Sequence, residues 1–219
     1  MVVREKFEQE LKEVQDQFIA LSSLAISTLN KSFNALISYE VDDALSIIEN
    51  DVYINRLEEE INDRVILLIA KQQPVATDLR RLIVYIKAAH DMERVGDYAV
   101  NIAKETIRMG KTEFASPINN IEKMRTITIT MLNEVMKAFI EENIEEARKV
   151  AELDDQVDNL YGQTIHQLLK EGSDNPKSLS QVTQLAFVCR YLERSADHAT
   201  NIAEELIYMV KGRHYELNN

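Results

Sequence analysis

The chain has 219 residues, 45% of them hydrophobic, with only five glycines and three prolines. This composition favours helices around a buried core, in one large domain or two small ones. The formal net charge of −12 argues against nucleic-acid binding and against adsorption to an anionic membrane, since both need clustered lysine and arginine. The single cysteine, Cys189, excludes an intrachain disulfide and a cysteine-based metal site.

Apolar residues at three- and four-residue spacing predict six long helices. Pro74 is expected in the first turn of the third helix, and Pro117 opens the fourth. Gly110 and Gly172 are expected as C-terminal caps, and residues 172–178 as a polar loop. The helices are predicted over residues 4–38, 41–71, 74–109, 117–141, 144–170 and onward from the polar loop to 211.

The arrangement of these helices predicts an all-α fold. Long helices joined by short loops pack as antiparallel neighbours in bundles, so we expect two tandem three-helix bundles, residues 1–113 and 114–219, linked around residues 111–116. The amino terminus is charged from Arg4 onward and lacks the apolar core of a signal peptide. No stretch approaches the roughly 20 apolar residues of a membrane span. A cytoplasmic protein without direct membrane insertion is therefore expected.

One segment occurs twice. Residues 93–105 and 193–205 align at a constant offset of 100 with eight of thirteen positions identical, and residues 51–57 show a weaker similarity to residues 154–160. The two halves therefore look like an internal duplication. Glutamate, arginine, aspartate and asparagine are retained where apolar neighbours vary, which indicates a chemical requirement beyond packing.

The retained acids form pairs. Glu93 and Asp97 are four residues apart, so they lie on one helix face about 5–6 Å apart, as do Glu193 and Asp197. This face overlaps the apolar stripe of its helix, so the acids should lean towards the bundle interior. Further oxygen-bearing residues share a face on the second and fifth helices: Asp51, Asn55 and Glu58, and Asp154 with Asp158.

Clustered carboxylates need a neutralising partner, because like charges and burial both disfavour ionisation. One candidate is a metal such as Mg, Mn, Ca or Fe, which all-oxygen sites favour. The other is an arginine, either Arg94 and Arg194 or Arg80 and Arg81. The residues alone leave both open.

The sequence contains no catalytic constellation. No histidine forms the Glu-x-x-His pattern of di-iron bundles, and there is no phosphate-binding loop or nucleophile elbow. His198 is expected as a polar surface histidine, and Cys189 as a small buried apolar residue.

Three segments together resemble the signature of the PhoU family: Q-P-V-A-T-D-L-R at residues 73–80, D-M-E-R-V-G-D at 91–97 and N-I-A at 101–103. The resemblance covers nearly the whole chain. It implies two three-helix bundles related by pseudo-twofold symmetry, and multinuclear clusters of iron or zinc held by the acidic motifs. It also implies a non-enzymatic, often dimeric adaptor that negatively controls high-affinity phosphate uptake. The implied partners are the ATPase of a phosphate ABC transporter and a sensor histidine kinase of phosphate-starvation signalling.

The resemblance also implies the metal ligands. Carried over by position, they are Glu93, Asp97, Glu193, Asp197, Asp51, Asp154 and Asp158. Three departures from the family pattern make the two halves unequal. The second half has no counterpart of the Q-P-V-A-T-D-L-R segment. Asn55 stands where an acid is usual, and His90 is matched in the second half by Arg190, which can occupy space that a metal needs.

Two alternatives to the adaptor remain at this point. One is a metal-dependent phosphohydrolase, which would need open coordination positions and a substrate cleft. The other is a purely structural bundle whose acids are paired with arginine.

Overall fold

The computed structural model describes residues 2–110 and 118–217, with side chains from Arg4 onward. The described chain is helical and contains no strand, which confirms the all-α prediction. The elements are α1 (Val2–Ser38), α2 (Val41–Gln72), α3 (Ala76–Met109), α4 (Ile118–Glu141), α5 (Ile144–Asp174), a short 3₁₀ helix (Pro176–Ser178) and α6 (Leu179–Lys211).

Two details of the predicted helices differ. Pro74 lies in the connection before α3 rather than in its first turn, because Gln73 closes α2 in the left-handed conformation (φ 47°) and α3 begins only at Ala76. Gly110 caps α3 as predicted, but Gly172 lies inside α5. A Cβ atom at Gly172 would lie 3.3 Å from the Leu179 side chain, so the glycine permits close packing against α6. The predicted linker 111–116, the boundary at 113/114 and Pro117 lie outside the described residues.

The repeat is visible in the tight turns. α1 and α2 are joined by Tyr39 and Glu40, and α4 and α5 by Glu142 and Asn143. Tyr39 (φ 56°) and Glu142 (φ 51°) both adopt the left-handed conformation that ends a helix abruptly. The Asn143 side chain accepts hydrogen bonds from the first backbone amides of α5, which satisfies donors that the helix itself leaves unpaired.

The two halves meet through their third helices. α1, α2 and α3 pack together, α4, α5 and α6 pack together, and α3 and α6 form the most extensive contact between the halves. The pairs Lys87–Glu205 and Tyr98–Tyr191 show that α3 and α6 run antiparallel. Among the described elements, α2 lies against α1 and α3 only. α5 contacts α4, α6 and the short 3₁₀ helix that connects α5 to α6. The duplicated segments therefore lie at the centre of the molecule.

The hydrophobic core is continuous across both halves and contains buried residues from all six helices. Its aromatic centre joins α1, α3 and α4, where the ring of Phe18 lies 5.7 Å from Tyr85 and 5.0 Å from Phe139, centroid to centroid. Burying one such side chain contributes about 1.5–3 kcal/mol. The two predicted bundles thus share one core.

Within residues 2–110 and 118–217, no helix combines the length and the apolar character that crossing a membrane requires.

Candidate functional site

The duplicated acidic pairs lie on α3 and α6 and lean inward, as predicted. The side chains of Glu93 and Asp97 are 19% and 31% exposed, and those of Glu193 and Asp197 are 11% and 28% exposed. The pair on α3 lies beside α2, and the pair on α6 lies beside α5. The structure therefore contains two acidic faces, one between α2 and α3 and one between α5 and α6.

In the first face, α2 carries three buried side-chain oxygens that have no hydrogen-bond donor. They are Oδ1 of Asp51, Oδ1 of Asn55 and Oδ1 of Asn62. The amide Nδ2 of Asn55 donates to the other Asp51 oxygen at 3.3 Å, and the amide Nδ2 of Asn62 donates to Glu58 Oε1 at 2.6 Å. Both amide groups thus donate a hydrogen bond to an acid, whereas their own oxygens accept none. A buried oxygen without a hydrogen-bond donor is unfavourable.

The charges of the first face repel one another. Burial raises the pKa of Asp51, and the negative charge of Asp97 raises it further. Burial and Asp97 also raise the pKa of Glu93; His90 and Arg94 partly compensate, and Glu58 adds a smaller repulsion. These effects cross from one helix to the other: Asp51 of α2 faces Asp97 of α3, and Glu58 faces Glu93.

In the second face, α5 supplies Asp154 and Asp158. Asp154 is almost fully buried, and its Oδ2 atom accepts a hydrogen bond of 3.1 Å from the hydroxyl of Thr200. Burial and the charge of Asp197 raise the pKa of Asp158. Asp158 and Asp197 therefore oppose each other across the α5–α6 contact.

Glu193 is the more enclosed acid of the α6 pair. Burial raises its pKa, as does the neighbouring charge of Asp197, whereas Arg190 and Arg194 lower it. Arg190 Nη1 donates to Glu193 Oε1 at 2.5 Å. The arginine that corresponds to His90 of the first half therefore contacts an acid of the second face directly. A charge-assisted hydrogen bond of this kind is among the stronger ones in proteins.

Each half also pairs its second acid with the arginine of the repeat. Arg94 Nη1 donates to Asp97 Oδ2 at 2.6 Å, and Arg194 Nη1 donates to Asp197 Oδ2 at 3.0 Å. Of the two arginine pairs considered from the sequence, this is the one that contacts the acids.

The other pair is used elsewhere. Arg80 Nε donates to the carbonyl oxygen of Met209 at 3.0 Å, and Arg81 Nη2 donates to Glu142 Oε1 at 2.8 Å. Both residues therefore tie α3 to the second half rather than neutralising the acidic faces.

The donor chemistry of the first face fits a metal ion, but the arrangement is not a closed site. In the part of the chain that the structure describes, no three histidine, cysteine, aspartate or glutamate side chains converge to hold an ion. Carboxylate and amide oxygens are ligands that hard cations accept, and the unsatisfied oxygens of Asp51 and Asn55 are available. A metal here would need amide oxygens and side-chain rotation to complete its coordination. All seven ligand assignments stay predictions.

Sequence reasoning missed several residues. Asn62 lies one helical turn beyond Glu58, and helical spacing alone could have found it. Glu105 is 1% exposed, held by Arg108 at 2.5 Å, although an acid at this position looks like a surface residue. His198 is not a surface histidine, because its side chain is 16% exposed and lies 2.7 Å from Asp91 of α3. Such contacts depend on how α3 meets α6, which the sequence does not specify.

The geometry defines a two-repeat, all-helical protein with an acidic face in each repeat, and comparison with known proteins identifies its family. The family model described as "PhoU domain" matches twice, over residues 18–106 and 121–206. The chain belongs to the PhoU family.

Relatives match along nearly the whole chain. A protein of Clostridium acetobutylicum named "Phosphate-specific transport system accessory protein PhoU homolog" is 35% identical over 100% of both chains. A protein of the same name from Aquifex aeolicus is 37% identical, covering 94% of each chain. The crystal structure of PhoU from Pseudomonas aeruginosa superposes with a TM-score of 0.91 at 32% identity, covering 94% of this chain and 100% of that one.

Proposed function

We propose that this chain is a regulatory accessory protein of phosphate transport that restrains high-affinity phosphate uptake and phosphate-starvation signalling. The observation that supports this most strongly is the full-length match to relatives named as accessory proteins of phosphate-specific transport. The match includes both repeats, so the whole chain and not one module carries the likeness. The protein acts as an adaptor rather than an enzyme, with the transporter ATPase and a sensor histidine kinase as its partners.

The second part of the proposal is a metal ion at the first acidic face. Asp51, Glu93 and Asp97 would supply carboxylate oxygens, and Asn55 an amide oxygen. The unsatisfied buried oxygens of α2 support this, because a cation would compensate both their lost hydration and the mutual repulsion of the acids. When bound, the ion supplies positive charge that holds α2 against α3.

Co-purification tests the adaptor role. The tagged full chain is expressed in cells that carry its gene, and the transporter ATPase and sensor kinase are sought among the retained proteins. We expect both to be retained at high phosphate. The variant Glu93→Gln should retain less of them if the metal supports the binding surface, whereas Arg56→Gln, which alters an exposed ion pair elsewhere on α2, should not. Retention of neither partner by the wild-type chain would contradict the adaptor role.

A further inference from the structure

The first helices of the two halves, α1 and α4, correspond to each other in the repeat. The left-handed residues that follow them, Tyr39 and Glu142, align α1 with α4 at an offset of 103. The two helices run antiparallel, because Phe18 packs on Phe139, whereas residues nearer the end of α1 contact the beginning of α4. The repeat therefore relates one side of the α1–α4 contact to the other side.

One side of this contact is filled by an arginine of α4. Arg125 Nη2 donates to Oδ1 of Asn30 and, more weakly at 3.5 Å, to Oδ1 of Asn34. Its guanidinium carbon lies 5.5 Å from the centroid of the Phe33 ring, within the range of a cation–π interaction. Amide oxygens and an apolar surface of α1 together hold this side chain between the two helices.

The equivalent side of the contact is open. Ser22 corresponds to Arg125, and its hydroxyl donates to the carbonyl oxygen of Phe18 in its own helix at 2.8 Å. Above this short side chain lies a groove of about 650 Å³, between residues 19–30 of α1 and 129–141 of α4. This surface is the open groove. The same position of the repeat is thus filled on one side and open on the other.

The walls of the open groove resemble those of the filled side. Asn133 corresponds to Asn30, and its amide Nδ2 donates to the carbonyl oxygen of Ile129 at 2.7 Å, which leaves its Oδ1 atom to accept. Met136 corresponds to Phe33 and supplies an adaptable apolar surface in place of the ring. The open groove therefore presents an amide oxygen beside an apolar floor, as the surroundings of the arginine do.

Two charged residues of α4 also line the open groove, Lys137 and Glu141. A hydrogen bond from Lys149 lowers the pKa of Glu146 on α5, and the charge of Lys137 adds to this effect. Lys137 thus interacts with an acid outside the groove, whereas Glu141 adds a carboxylate to the groove itself. A carboxylate near an amide oxygen suits a guanidinium group, which donates several hydrogen bonds in a planar fork.

We propose that the open groove binds an amphipathic helix of a partner protein, which inserts one arginine over Ser22 in the place that Arg125 fills on the other side. The groove is about 17 Å long, which is three turns of helix, and grooves of this kind bind helices through apolar anchors. The inserted guanidinium donates to Asn133 and Glu141, and its stem lies on Met136. Apolar residues one turn away on the partner helix cover the isoleucines of the groove. The inference names a partner chemistry beyond the proposed function and needs no metal.

A defined helical peptide is the probe for the test. It is alanine-based and roughly 15 residues long, so that it forms a helix in water, with a central arginine and leucines one turn to either side. The matched peptide carries citrulline, which keeps the shape of arginine without its charge. Each is titrated into the full chain, and NMR of the isoleucine methyl groups measures and locates binding. We expect shifts at Ile19, Ile26 and Ile129, and about tenfold tighter binding of the arginine peptide.

Variants of the chain test the site itself. Ser22→Arg supplies the side chain from α1 and should abolish peptide binding. Ala20→Arg adds the same charge at an exposed position of α1 outside the groove and should leave binding unchanged. Glu141→Gln, at an exposed position, should fold even if Ser22→Arg does not. It should weaken the arginine peptide about threefold or more and leave the citrulline peptide unchanged.

The reverse variant uses the repeat. Arg125→Ser opens the filled side, so this chain should bind two arginine peptides where the wild-type chain binds one. A single bound peptide in Arg125→Ser would show that the two sides are not equivalent and would overturn the proposal. Circular dichroism of the variant, compared with the wild-type chain, verifies that it is folded in this titration.

Three further results would contradict the partner helix. The first is no binding of the arginine peptide, and the second is equal affinity for the arginine and citrulline peptides. The third is a dimer, seen by sedimentation, that is lost in Ser22→Arg and kept in Ala20→Arg, because it would assign the open groove to a second copy of this chain. None of these results bears on phosphate uptake, so the accessory role would stand if the groove assignment failed.

Discussion

His198 of α6 lies 2.7 Å from Asp91 of α3, ring Nδ1 to carboxylate Oδ1, and this contact joins the two halves at their centre. Asn201 donates to the same oxygen at 3.4 Å. At the corresponding place across the repeat, the ring of Tyr98 stacks against Tyr191 with centroids 6.0 Å apart. The two repeat-related contacts between the halves thus differ: the Asp91–His198 contact is polar, and the Tyr98–Tyr191 contact is aromatic.

The first prediction concerns this polar contact. Asp91→Ala leaves the mostly enclosed ring of His198 without its partner and removes an acceptor from the exposed Asn201, so the free energy of unfolding should fall by about 1–3 kcal/mol. Urea denaturation followed by circular dichroism measures it. Arg56→Ala breaks an exposed ion pair with Glu60 and should cost no more than about 0.5 kcal/mol. Equal effects of the two variants would show that the central contact adds no stability.

The second prediction compares two helical glycines. A Cβ atom at Gly96 would lie 2.9 Å from Cδ1 of Ile54, whereas nothing lies within 4 Å of a Cβ at Gly162. Gly96→Ala should therefore destabilise the protein by about 1–3 kcal/mol through overpacking. Gly162→Ala should stabilise it by about 0.5–1 kcal/mol, because alanine favours the helix. Thermal unfolding of both variants tests this, and destabilisation by Gly162→Ala would contradict the contacts.

The third prediction is a pH dependence from Glu105. Burial raises its pKa and Arg108 only partly offsets this, so the folded chain binds more protons than the unfolded chain above the ordinary glutamate pKa of about 4.3. Stability from this group is therefore present at lower pH and is lost as the pH rises through the folded pKa. Between pH of about 4 and neutrality, the free energy of unfolding of Glu105→Gln should therefore fall less with rising pH than that of the wild-type protein.

Urea midpoints across that pH range measure this effect. Glu5→Gln makes the same change in net charge at an exposed position of α1 and should keep the wild-type pH dependence. An unchanged pH dependence in Glu105→Gln would show that the buried carboxyl does not contribute it.

The fourth prediction follows from the shared core. Phe18 of α1 and Phe139 of α4 lie 5.0 Å apart, centroid to centroid, so Phe139→Leu should destabilise both halves together. Backbone amides of α2 and of α5 should then lose protection from hydrogen exchange to the same extent, because both would reflect the fall in global stability. Loss confined to α4–α6 would instead show that the repeats unfold independently.

Much of the fold was predictable because helical periodicity and punctuation are local signals. The ends of α1, α4 and α6 and the cap at Gly110 followed from apolar spacing and helix-breaking residues. Gly172 misled because a glycine near a helix end resembles a cap, whereas here it makes room for Leu179 of α6. The shared core was not predicted either, since two repeats read separately do not reveal that Phe139 of one packs on Phe18 of the other.

The acidic faces were likewise predictable in part. The inward lean of Glu93 and Asp97 followed from a helical wheel, and the shared face of α2 followed from spacing. The partners that set their electrostatics come from other helices, as in the seat of Arg190 on Tyr161 of α5. The burial of Glu105 depends on packing and not on residue type. Pairwise contacts between helices therefore had to come from the structure.

The rate of phosphate uptake at high phosphate tests the central proposal most directly. Cells lacking the gene for this chain are compared with the same cells carrying the wild-type gene or the variant Glu93→Gln/Asp97→Asn. The account predicts that the deletion raises uptake, that the wild-type gene restores repression and that the variant restores it incompletely. Uptake that stays repressed without the gene would contradict the proposed function.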